Sequence, residues 1–196
     1  MLCPAARRDK GLTVTPLAQI TSVRNDPGSA AVRRPIRHQP PRDVAWQQFT
    51  VRLAEVLAVL DEDDRLIIES KRSPSFVQFA AEGRFGMHVE AVGNYYRPQK
   101  WRLDENQLDR MASLGWERPN VDEPSPEWIE SDPDFAPNFH LDAAAPVPFR
   151  RVAELAVATL RDVYRVHHPV MLEYSAFGRG TEIKLPTLGL LRHLQK

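Results

Sequence analysis

The segment from residue 74 to residue 119 constrains the fold more than any other part of the chain. Within it, apolar and polar residues alternate along two runs, 76–81 and 87–92, which is the pattern of half-buried β-strands. A short turn around Gly83 separates the runs, so they predict an antiparallel hairpin. Residues 65–71 predict a further strand just before the hairpin. Three strands joined by short turns form an antiparallel meander.

Three segments have the apolar spacing of amphipathic helices, with large apolar residues recurring every three or four positions. The first runs over residues 43–60, and Asp43 is its expected N-cap. The second begins at Asp104 with a capping-box pattern and ends at Gly115, which is expected to adopt positive φ. The third follows Pro148 and extends to about residue 166.

The remaining strands are shorter. Residues 138–141 predict one strand, and residues 170–177 predict another that ends in a hairpin turn at 178–180. The tail from Thr181 fits either a strand or a short helix. Helices combined with an antiparallel sheet indicate a single α+β domain over residues 43–196.

The N-terminal residues 1–42 have a different composition. They carry six prolines and many more basic than acidic residues, without a sustained apolar period. Such a segment cannot bury enough apolar surface to fold alone, so it is predicted to be a disordered basic tail. Residues 119–137 are acidic and rich in proline, which predicts a surface loop anchored by Trp128 and Phe135.

Charge and cysteine content restrict the class of protein. The formal net charge is zero, which argues against a dedicated nucleic-acid binder. Cys3 is the only cysteine, so no intramolecular disulfide or thiolate metal cluster is expected, and a reducing cytoplasm fits best. No apolar run is long enough to predict a membrane span.

Few residues suggest chemistry. His88 and Glu90 share one strand face and could form an acid–base couple, and the pair His167–His168 could bind a metal. Neither has a nucleophile or a known ligand spacing beside it, so no catalytic residue, metal or cofactor is expected. Two alternatives stay open: a hydrolase-like enzyme that uses these histidines and Glu90, and a regulatory module whose basic tail contacts nucleic acid or membrane.

Several motifs together resemble a known family. Residues 76–79 read Phe-Val-Gln-Phe, residues 90–94 read Glu-Ala-Val-Gly-Asn, and residues 114–119 read Leu-Gly-Trp-Glu-Arg-Pro, followed by Asn138-Phe139. This order resembles the TY-Chap domains of actinobacteria, which are similar to type III secretion chaperones and YbjN proteins. The resemblance covers about residues 44–191. It implies a sandwich of an antiparallel sheet and flanking helices, and a non-enzymatic chaperone-like module.

A module of this kind holds a peptide or protein client, either on an apolar sheet face or along a sheet edge. The resemblance also implies a homodimer, as in many secretion chaperones. The meander and its surroundings supply the candidate contacts to the client. These are Phe76, Gln78, Phe79, His88, Glu90, Asn94, Trp101 and Trp116.

Overall fold

A computed structural model describes residues 41–120 and 136–193. Within these residues the chain forms three α-helices, seven β-strands and several short helical turns. The elements in chain order are α1 (Arg42–Leu57), β1 (Arg65–Ser70), β2 (Phe76–Ala81), β3 (Gly86–Ala91), α2 (Glu105–Leu114), β4 (Phe139–Ala144), α3 (Phe149–Ala158), β5 (Leu172–Gly178), β6 (Thr181–Glu182) and β7 (Leu191–Arg192).

The strands form one sheet in the order β4-β3-β2-β1-β5-β6, and β7 lies beside β5 as well. All pairs are antiparallel except β5 with β7. In the meander, Leu66 lies opposite Phe79, and Phe79 lies opposite Val89. The predicted meander is therefore confirmed, with strand β5 added beside β1 and β4 added beside β3.

The core lies between one face of the sheet and the helices. Alternate residues of the strands are buried there with the apolar stripes of α1 and α3, as periods of two and about 3.6 residues require. The largest side chains that are almost completely buried in this core are Trp46, Phe49, Phe79 and Phe139. No described helix covers the opposite face of the sheet. The fold is an α+β structure of two layers, which confirms the predicted class.

Most helix ends agree with the sequence. Asp104 caps α2 by accepting a hydrogen bond from the backbone N–H of Gln107, and the Gln107 side chain accepts one in return from the N–H of Asp104. Gly115 follows α2 with φ of 100°, as predicted. The predicted cap of α1 was wrong, because Pro41 occupies that position and Asp43 lies in the first turn.

Two further details concern α3 and the C-terminal strands. Helix α3 continues as a π-helical turn over Thr159–Val163, which the apolar period did not predict. The turn at Arg179 and Gly180 has positive φ at both residues and joins β5 to β6, so the predicted hairpin is confirmed. The tail after Thr181 forms short strands and a helical turn, Pro186–Leu188, so both readings of this tail hold in part.

Two predictions lie outside the described residues. The proposed tail falls almost entirely within residues 1–40, and the proposed anchors Trp128 and Phe135 fall within residues 121–135. Among the helices of the described part, none combines the length and apolarity needed to cross a membrane.

Candidate functional site

The eight predicted contact residues lie in different environments. Phe79 and Trp116 are only 0% and 4% exposed, so they belong to the core and support the fold. The Asn94 side chain donates a hydrogen bond to the carbonyl of Leu103 and accepts one from the N–H of Leu103. Trp101 is 38% exposed and lies beyond the meander. The other four lie on the uncovered sheet face and are Phe76, Gln78, His88 and Glu90.

The uncovered face is more polar than expected. The sequence predicted an apolar face on the meander that remains available to a client. The strongly apolar face is the one that the helices bury, since Leu66, Val77 and Val89 are fully buried there. The uncovered face carries acidic, basic and amide side chains from β1 to β4, together with the apolar residues Ile67, Phe76 and Ala80. This face is therefore mixed in polarity rather than strongly apolar.

A polar network ties together the strands at one side of this face. His88 Nδ1 lies 2.6 Å from Asp142 Oδ1, and His88 Nε2 lies 3.3 Å from Glu90 Oε1. Glu90 also accepts hydrogen bonds from the amide of Gln78 and from Asn138 Nδ2. His88 faces Asp142 across β3 and β4, and Gln78 faces Glu90 across β2 and β3. The network therefore joins three strands by side-chain contacts.

These contacts favour the charged form of His88. The hydrogen bond to Glu90 is the largest cause and the bond to Asp142 adds to it, so the pKa of His88 rises to about 9. The hydrogen bond from His88 in turn lowers the pKa of Glu90. An imidazolium whose two N–H groups are both engaged cannot accept a proton as a general base. This geometry does not favour the hydrolase-like alternative.

The network should make stability depend on pH. Because the pKa of His88 is raised in the folded protein, its stabilising contribution is complete below the unfolded pKa of about 6.5 and is lost as the pH rises through about 9. We expect His88→Gln to lower the free energy of unfolding by about 1 kcal/mol at pH 6, since solvent screens this half-exposed cluster, and by much less at pH 10. Urea unfolding at both pH values measures this difference.

A suitable control is Gln47→Ala. Gln47 is an exposed, uncharged residue of α1. This control should change stability equally at both pH values. Equal losses at pH 6 and pH 10 for His88→Gln would contradict the assignment of a charged His88.

Strand β4 lies at one edge of the sheet formed by the described residues. Among these residues its outer side is paired only at His140, whose N–H and C=O exchange hydrogen bonds of 3.2 and 2.9 Å with the backbone of Glu117. Backbone groups of alternate residues in a strand point to the same side, so Asp142 and Ala144 also direct their N–H and C=O groups outward. No described strand pairs with them. At the opposite side of the sheet, β6 and β7 cover the outer edge of β5.

An apolar groove of about 320 Å³ lies beside this edge. It is formed by the end of α2, by β4 and by the first turns of α3. Its lining includes Leu114, Leu141, Ala143, Arg151, Val152 and Leu155. Leu114, Leu141 and Leu155 pack against the core but are only partly buried, so the exposed part of each side chain gives the groove an apolar wall.

The sequence did not single out this edge and groove. It predicted a strand over 138–141, whereas β4 extends to Ala144. The alternation of Phe139, Leu141 and Ala143 was a signal for the longer strand. Which strand lies at the edge depends on pairing across the chain, and no local pattern encodes it.

Two other groups with ligand chemistry make contacts within the described part of the chain. His168 Nδ1 accepts a hydrogen bond from the N–H of Val170, so His168 caps a short helical turn. The donor atoms of Glu69, Glu173 and His193 lie within 4.8 Å of one another. His193 Nδ1 is 2.9 Å from Glu173 and 3.4 Å from Glu69, so the three side chains satisfy one another as ion pairs. We assign no metal to them.

Comparison with known proteins agrees with the resemblance seen in the sequence. Residues 39–178 match a family model described as T3SS (YopN, CesT) and YbjN peptide-binding chaperone 3. No curated protein and no solved structure matches the chain. The match covers well over half of the 196 residues, including β1 to β5 and all three α-helices. The chain therefore belongs to the TY-Chap3 family of peptide-binding chaperones.

Proposed function

We propose that this protein is a non-enzymatic chaperone or adaptor that holds an extended segment of a client protein at the outer edge of β4. The main support for the proposal is that the outer side of β4 at Asp142 and Ala144 has no partner among the described strands and lies beside an apolar groove. An added strand gains backbone hydrogen bonds from such an edge, and adjacent pockets select its side chains. Membership of a peptide-binding family supports this function.

The two sides of the edge favour different client side chains. Successive side chains of a strand point to opposite faces of a sheet. On the helix side, a client residue would enter the groove near Leu141 and Leu155, so we expect it to be apolar. On the uncovered side, the next client residue would lie near the carboxylates of Asp142 and Glu117, whose side chains are 74% and 70% exposed. The preferred client segment therefore alternates apolar and basic residues.

A labelled peptide tests the proposal. We expect a fluorescein-labelled decapeptide of alternating leucine and lysine to bind with increased fluorescence anisotropy. A peptide of alternating serine and lysine should bind at least tenfold more weakly, because it cannot fill the groove. Equal binding of both peptides would indicate charge attraction alone and would contradict a role for the groove.

A proline variant tests the edge itself. Ala144→Pro removes an N–H donor that points outward, so it leaves the hydrogen bonds between β3 and β4 in place. We expect it to weaken binding of the leucine–lysine peptide about tenfold or more. Ala144→Val is the matched control, because it keeps the N–H and adds a side chain that strands accept. If both variants bind like the parent protein, the client does not pair with β4.

A further inference from the structure

A second cavity, away from the β4 edge, is strongly basic. Its volume is about 440 Å³, and it lies between the β1–β2 turn, residues 97–104 and the chain that leaves α3. The basic residues among its lining are Arg72, Arg97, Lys100, Arg102, Arg165 and His167. None of its lining residues is shared with the groove beside β4. We call it the basic pocket.

Apart from Arg102, which is engaged elsewhere, the basic residues described above are not balanced by acidic groups among the described lining residues. Among the described residues that line it, Asp104 is the single carboxylate. Asp104 is committed to the N-cap of α2, where it accepts a 2.9 Å hydrogen bond from the N–H of Gln107. The chain as a whole has no net charge, so this concentration of positive charge is local. Like charges held together in this way repel one another unless an anion joins them.

Arg97 is the most deeply buried basic residue of the pocket. It is only 5% exposed, and its Nε donates a 2.9 Å hydrogen bond to the carbonyl of Trp101. Its terminal nitrogens donate to the carbonyl of Pro74 and to Ser75 Oγ. The guanidinium also lies 4.7 Å from the ring centroid of Tyr164. All four partners are neutral, so a positive charge is held rigidly in the protein without a carboxylate beside it.

Burial of this charge has an electrostatic consequence. Desolvation lowers the pKa of Arg97, which shows that its surroundings disfavour the charged form. Desolvation also raises the pKa of Tyr164, so the phenol stays neutral and does not act as a counter-ion. Because Arg97 is buried, little water screens the positive potential that it creates at the inner end of the pocket. The fixed guanidinium therefore favours an incoming negative group.

The walls indicate the size and class of the ligand. The cavity is larger than a single phosphate or carboxylate requires. Arginine forks match phosphate oxygens in pairs, and several cations favour a group with more than one negative charge. Trp101, which is 38% exposed, is among the lining residues and offers an apolar surface. We propose that the basic pocket binds a small molecule that carries a diphosphate or a comparable group of linked phosphates.

The first experiment measures binding of inorganic pyrophosphate to the full chain by calorimetry in 150 mM salt, with thermal unfolding in parallel. We expect saturable binding and a rise in Tm, because a ligand that binds only the folded state stabilises it. We expect at least tenfold weaker binding of succinate, a dicarboxylate without the phosphate geometry. Absence of pyrophosphate binding, or equal affinity for succinate, would overturn the proposed ligand class.

The second experiment locates the site with exposed arginines, which can be replaced without loss of the fold. The double variant Arg72→Ala/Arg165→Ala should weaken pyrophosphate binding at least tenfold, because two cations of the pocket are lost. The matched control, Arg84→Ala/Arg151→Ala, removes the same total charge outside the pocket and should bind like the parent. Equal weakening in both double variants would indicate an effect of net charge alone and would overturn the site. The leucine–lysine peptide should bind the pocket variant normally, so this test is separate from that of the β4 edge.

Discussion

Replacement of Trp116 by alanine is expected to lower the free energy of unfolding by about 3–5 kcal/mol. Trp116 is 4% exposed, and its Nε1 donates a 2.9 Å hydrogen bond to Thr159 Oγ1. Thr159 lies in the π-helical turn that follows α3, so this contact fixes the exit of α2 against α3. The variant would lose both the large ring and the buried hydrogen bond. Small domains are stable by only about 5–15 kcal/mol, so urea unfolding should show a large shift in midpoint.

Trp101→Ala is the matched control for this prediction. The same chemical change at Trp101, which is 38% exposed, should cost less than about 1 kcal/mol. Trp116→Phe separates the contributions of the ring and the hydrogen bond, and should cost about 1–2 kcal/mol. Similar losses for Trp101→Ala and Trp116→Ala would show that Trp116 does not hold the helices together.

This pair of tryptophans illustrates what the sequence can predict. Trp101 and Trp116 were both candidate contacts to a client. Local features correctly predicted that a helix separates the two residues, since the capping box at Asp104 and the glycine at position 115 mark the start and end of α2. Such signals depend on residues a few positions apart, so the sequence contains them directly. The burial of Trp116 depends instead on the π-helical turn after α3, since Trp116 and Thr159 are 43 positions apart.

The candidate sites show the same limit. His88 and Glu90 are two positions apart, and their shared strand face was predictable. The partner that completes the charged cluster, Asp142, is 54 positions from His88 and depends on the pairing of β3 with β4. The edge at Ala144 likewise follows from strand order. In the basic pocket, Arg97 lies among partners from two separate turns and from the chain that leaves α3. Each site required the topology before its residues could be grouped.

Strand pairing at the β4 edge depends on one glycine that the hairpin pattern did not identify. The sequence placed the turn around Gly83, but Gly86 has φ of 123° and faces Ala144 across β3 and β4. A Cβ atom at residue 86 would lie 2.1 Å from the carbonyl oxygen of Ala143. That oxygen belongs to the backbone and cannot move without displacing β4. The site therefore combines a conformation that favours glycine with a close approach of two strands.

We expect Gly86→Ala to lower the free energy of unfolding by about 3 kcal/mol or more, because backbone strain and the clash add together. Hydrogen exchange at the amides of Leu141 and Ala143, which point toward β3, should become faster as β4 is displaced. Gly180→Ala is the control: its φ is 76°, but a Cβ there would meet no heavy atom within 4 Å. It should cost only about 1 kcal/mol. If both alanine variants lose the same stability by urea unfolding, the close contact between Gly86 and β4 is not what fixes the edge strand, and the proposed client site would depend on another contact.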